Sequence, residues 1–194
     1  MRASGWFGRV ILAGAATVLV ACVGSVTRDD LEEEVESRGG GLSQEVLLDA
    51  VAAVADDQGE ATPRLRSVSV VASHVALEVM VPGTTEDLDA YDFGTSGMFG
   101  GRGLDGPEPV ARSSTEESLE STVFTAEAAG LRRFDAMVDA ALEEADLARG
   151  HASGATIARP AAGTDPQTTI TVSDRRRTVS VTFGPDAVVV GVQR

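Results

Sequence analysis

The chain contains no lysine and no asparagine, and all 16 of its cationic side chains are arginines. The bias fits a GC-rich coding sequence, but its chemical consequence holds whatever the cause. Without lysine there is no P-loop amine, no Schiff-base amine and no Ser–Lys dyad. Cysteine is almost as scarce. Cys22 stands alone, so the chain has no internal disulfide framework and no cysteine-based zinc site. Two histidines are present, His74 and His151. One falls inside a strand-like run and the other follows Gly150 at a helix end, positions of ordinary surface and turn histidines rather than of a Ser-His-Asp triad. The HExxH spacing is missing, and Gly94-Thr95-Ser96-Gly97 lacks the G-x-S-x-G order of a nucleophile elbow. Adjacent acids such as Asp56/Asp57, Glu116/Glu117 and Glu143/Glu144 read as solvated pairs. Nothing in this inventory points to a catalytic residue, a metal ligand or a cofactor.

Aromatic residues make up 4% of the chain, while the apolar fraction is 43%. An interior is therefore affordable in amount but must be built mostly from Val, Ala and Leu. Basic residues are outnumbered 16 to 30 by acids, for a formal charge of −14. Such a surface repels phosphate backbones and anionic head groups, which argues against nucleic-acid binding and against electrostatic docking to lipid.

What the chain does have begins at its start. Met1 to Arg9 carries two cations and no acid, and Val10 to Val20 is apolar apart from Gly14 and Thr17. The apolar run to Val23 is 14 residues, short of the about 20 needed to span a hydrocarbon core. This is the layout of an export signal. It ends in Leu19-Val20-Ala21-Cys22, which resembles the lipobox of bacterial lipoproteins. The resemblance implies removal of residues 1–21, acylation of Cys22 and a position on the extracytoplasmic face of the cell membrane. Two acyl chains satisfy the requirement for stable anchoring. Residues 22–41 then read as the lipidated cysteine and an acidic, flexible tether, with Arg28-Asp29-Asp30-Leu31-Glu32-Glu33-Glu34 followed by Gly39-Gly40-Gly41.

From residue 42 onward the periodicity predicts an α+β domain, 42–194. Ser43 to Asp56 has a helical stripe of Leu47, Val51 and Val54, with Ser43 as N-cap and Gly59 as terminator. Two-residue alternation then predicts strands over Leu65–Val71, Val75–Val81 and Leu88–Phe93. Residues 94–109 hold six glycines and two prolines and read as a loop. Ser113–Ser121 reads as a linker or a short exposed helix. A second helix is expected near 127–148, followed by strands over 155–158, 168–173, 178–183 and 188–192, the last pair joined by a hairpin turn at Gly184-Pro185-Asp186. Helix followed by antiparallel meander thus occurs twice, over 42–110 and 125–194, in two units that could share one core. An offset of ninety residues aligns Leu48-Asp49-Ala50 with Val138-Asp139-Ala140 and Phe93-Gly94 with Phe183-Gly184, although chance matches of common residues compete with a true repeat.

This layout, with Gly106-Pro107-Glu108-Pro109-Val110 and the segment Arg177 to Asp186, resembles PepSY-like and beta-lactamase-inhibitor-protein-like domains, found in secreted and lipid-anchored proteins including many from actinobacteria. The resemblance covers residues 42–194. It implies an α+β fold and a non-catalytic binding or inhibitory role toward an envelope protein, and it transfers no functional residue. A carrier of envelope lipids or small molecules is the alternative, and a carboxylate-based hydrolase a more distant one. The candidate contact residues are Met98, Phe99, Arg102 and Leu104. They either pin the 94–109 segment to its own domain or form a small patch for a partner.

Overall fold

The computed structural model describes residues 39–94, 103–112 and 118–194. Cys22, Met98, Phe99 and Arg102 lie outside the described residues, as does the expected tether up to residue 38. The chain is α+β. Its helices are α1 (Gln44–Gln58), α2 (Leu119–Thr122) and α3 (Phe134–Ala145), with 3-10 turns at Gly39–Gly41 and Leu131–Arg133. Its strands are β1 (Leu65–Val71), β2 (His74–Met80), β3 (Leu88–Gly94), β4 (Gly103–Pro109), β5 (His151–Ala158), β6 (Gln167–Ser173), β7 (Thr178–Phe183) and β8 (Val189–Gln193). All eight join one sheet in the order β4-β3-β2-β1-β5-β6-β7-β8, and every pairing is antiparallel. Strands β1 and β5 meet at the centre, and each run of four proceeds outward from there.

Alternation decides which side chains face inward. Val68 and Val70 of β1, Val75, Leu77 and Val79 of β2, Tyr91 and Phe93 of β3, Ile170 and Val172 of β6, and Val179, Val181 and Phe183 of β7 are buried together. Helices α1 and α3 cover this side. Helix α1 gives Leu47, Ala50, Val51 and Val54 to the core and lies against β2 and β4. Helix α3 gives Phe134, Met137, Val138, Ala141 and Ala145 and lies against β5, β6 and β7. Gly59 ends α1 with a left-handed φ of 65°, which glycine adopts without steric cost. Ser43 occupies the N-cap in extended geometry but makes no capping bond; the exposed first turn is tied down instead by Gln44 N–H donating to Asp135 Oδ1 at 2.7 Å.

Three elements differ from the sequence expectation. The second helix begins at Phe134 rather than near 127. Gly130 has φ 65°, and the residues before it form a turn in which Ala129 N–H and Leu131 N–H donate to the Thr125 and Ala126 carbonyls. The helix also stops at Ala145, because Asp146 takes a left-handed φ of 49°. Residues 103–109, expected as loop, form edge strand β4. Proline is tolerated at an edge, where its missing N–H need not serve a neighbour, and Gly106 (φ 123°) sits so near Ala90 that a Cβ would lie 2.8 Å from its carbonyl oxygen. Finally, the short helix expected as exposed is anchored by buried residues. In α2, Leu119 is fully buried and packs with Met80, Leu88 and Val123.

Candidate functional site

The register places side chains in lateral rows across the sheet. One row runs Glu108, Ala90, Glu78, Ser67, Ala158, Gln167 over β4, β3, β2, β1, β5 and β6. The next runs Asp105, Asp92, Ala76, Ser69, Thr156, Thr169, Thr182, Gly191 and crosses all eight strands. Lateral partners in a sheet point to the same side, and this side is the one away from α1 and α3. It is open. Met80 and Leu88 share its parity at the far end of β2 and β3, and there α2 and Val123 cover them. The small cluster therefore closes one end of the open face and, among the described residues, leaves both rows uncovered.

Two regions differ in chemistry along these rows. Over β5, β6 and β7 the face carries hydroxyls. Thr169 and Thr182 touch across strands at 3.1 Å, Ser173 and Thr178 at 3.2 Å, and Ser153 and Ser173 at 3.2 Å. Over β1 to β4 it carries acids on a floor of small residues. A depression of about 440 Å³ is lined there by Ser67, Ser69, Ala76, Glu78, Ala90, Asp92, Asp105 and Glu108, among others. Short side chains at Ala76 and Ala90 make it concave; longer carboxylates form its walls. Glu78 accepts a hydrogen bond from Ser67 Oγ at 3.0 Å. Asp105 Oδ1 accepts one from the Gly106 N–H at 3.1 Å.

The Asp92 and Asp105 carboxylates are lateral neighbours, and both residues are exposed. They stand side by side on one surface instead of facing across a cleft. Behind the face, Tyr91 hydroxyl donates to Asp57 Oδ2 at 3.1 Å. Burial, and then that hydrogen bond, hold the phenol above its ordinary range. The contact ties β3 to α1 and is part of the scaffold. The histidines stand outside the two rows: His74, on β2, falls one row beyond Ala76 and Asp92. His74 pairs with Gly94 at the end of β2, its Nδ1 3.1 Å from Ser73 Oγ, and His151 opens β5 opposite Ser173.

Of the candidate contact residues, only Leu104 falls among those described. It lies opposite Phe93 on β4, partly buried and packed against the main core. The open face was not singled out from sequence, although its signal was present: the inward Val/Leu alternation of β1, β2, β6 and β7 leaves Ser, Thr, Ala and Glu on the other parity. Among the described residues no three His, Cys, Asp or Glu side chains converge as metal ligands do, and no helix is long and apolar enough to cross a membrane. The chain matches no family model, no curated protein and no solved structure.

Proposed function

We propose that this protein is a lipid-anchored, non-catalytic binding module of the cell envelope, held on the extracytoplasmic face of the membrane by acyl chains on Cys22. In this reading its α+β domain consists of two helix-plus-meander halves joined at β1 and β5, in the manner of the PepSY-like group, and its open sheet face receives a protein partner. The observation that carries the proposal is the uneven covering of the sheet. One face is sealed by α1 and α3, while the other exposes two lateral rows of short polar side chains across most of its width. A rigid polar surface of this kind, with a shallow depression at one side, suits protein recognition, since the strands hold the backbone of every contact residue in place before contact. The side-by-side placement of Asp92 and Asp105 weighs against a hydrolase.

Two variants test this reading. Cys22→Ser should move the protein from the membrane fraction into soluble or unprocessed forms; a fully membrane-bound, processed variant removes the anchor. Ser69→Arg, at the centre of the open face, should abolish cross-linking to the partner recovered from membranes while leaving the melting temperature nearly unchanged. Asp139→Ala, on the exposed side of α3, serves as control. Equal recovery with wild type and Ser69→Arg removes the open face as the contact surface.

A further inference from the structure

We propose that the element received by the open face is an extended polypeptide segment with cationic side chains at alternate positions, seated in the acidic depression over β2, β3 and β4. The inference rests on the binding-module reading and names the partner's chemistry. Four carboxylates, Glu78, Asp92, Asp105 and Glu108, line the depression. No arginine among the described residues forms an ion pair with any of them; the pairs described are Arg177–Asp174 and Arg194–Glu144, on other elements. The Asp92–Asp105 lateral pair brings like charges together, which is unfavourable in a sheet unless a cation intervenes. A bound cation relieves that repulsion, so the depression and a basic partner are complementary in charge.

The spacing favours a chain over a single ion. Glu108 and Glu78 stand in one row and Asp105 and Asp92 in the next, on three strands. Rows two residues apart along a strand are separated by about 6.6 Å, and strands by about 4.8 Å. One ion reaches one row. An extended segment laid along the strands repeats its own side chains every second residue at the same spacing of about 6.6 Å. Alternate arginines or lysines therefore meet successive rows, while the residues between them point away. The floor of Ala76 and Ala90 leaves room for the aliphatic stems.

The test uses two capped hexapeptides of equal charge, one alternating arginine with serine and one with three arginines followed by three serines, titrated into the mature protein at low and at physiological salt. The alternating peptide should bind more tightly, and its affinity should fall with salt. The double variant Asp92→Asn/Glu108→Gln should weaken it about tenfold, and Asp139→Asn/Glu143→Gln, on the exposed side of α3, less than about twofold. Equal weakening by the two doubles, or no preference for the alternating peptide, overturns the proposal. Cross-linking separates this failure from failure of the wider reading. If Ser69→Arg loses the membrane partner while Asp92→Asn/Glu108→Gln keeps it, the open face stands and the basic segment falls. If Ser69→Arg keeps the partner, the face itself falls.

Discussion

Gly130 lies against the carbonyl of Pro185, so closely that no Cβ fits between the turn before α3 and the turn joining β7 to β8. Arg133 adds a second contact at the same point, its Nη1 donating to Pro185 O at 2.9 Å. The two turns are separated widely in sequence and clamp α3 to the outer half of the sheet. Gly130→Ala meets two penalties, a left-handed φ of 65° and overlap with backbone that cannot swing aside. The expected loss is about 2–4 kcal/mol in urea denaturation. An alanine variant as stable as wild type would show that the turns do not touch.

The core contrast is equally direct. Phe134 and Phe183 are fully buried between α3 and β7. Phe183→Ala should cost roughly 3–5 kcal/mol through lost transfer energy and the cavity left behind. Leu104→Ala, at a partly buried edge position, should cost about 1–2 kcal/mol. If the order of the two is reversed, the edge strand rather than the central core is holding the sheet.

Most strands were legible because their apolar residues alternate. Val75, Leu77 and Val79 announce β2, and Val179, Val181 and Phe183 announce β7. What was not legible depended on partners distant in sequence. Strand β4 has almost no apolar alternation; it exists because β3 offers it an open edge, and Gly103, Gly106, Pro107 and Pro109 look like loop until that edge is known. The true start of α3 is hidden because Gly130 is required by Pro185, more than fifty residues away. The burial of Leu119 is hidden likewise, since Met80 and Leu88 present an apolar end on an otherwise polar face. The open face could be inferred as the complement of the core pattern, but its division into hydroxyl and acidic regions follows from strand order, which alternation alone does not give.

Asp174 makes one turn pH-sensitive. Its Oδ1 accepts the Arg176 and Arg177 N–H groups at 2.7 Å each. Those two hydrogen bonds, with the nearby guanidinium charges after them, hold the carboxyl below its ordinary value of 3.8. A lowered folded-state value means the ionised form stabilises the fold. That contribution is present above the unfolded value and is lost as pH falls through the folded one. Asp174→Asn keeps an acceptor oxygen and removes the charge. Wild type should therefore be the more stable at neutral pH, and the gap should begin to narrow as pH falls to about 4 and keep closing as pH falls through the lower folded-state value. A gap that stays constant over this fall would assign the turn's stability to geometry alone.

The two edges of the sheet are not alike, and that asymmetry sets the last expectation. Strand β4 carries Asp105, Pro107, Glu108 and Pro109, all of which discourage pairing with another strand. The stretch from Ala187 to Gln193 around β8 carries no charge. Val188 and Val190 are each 56% exposed and Val189 38%, the exposed large apolar residues of the described chain. An uncharged, valine-rich edge is a template for strand addition. The bulge that places Val190 opposite no residue of β7 blunts it only in part. At low salt the overall charge of −14 keeps copies apart, and added salt screens that repulsion. Self-association of the 42–194 domain should therefore rise with ionic strength. Val190→Lys should suppress the rise in sedimentation or light scattering and change stability by no more than about 0.5 kcal/mol, because the side chain is in water already. If the lysine variant associates as readily as wild type in salt, the contact lies elsewhere on the surface and β8 is a silent edge.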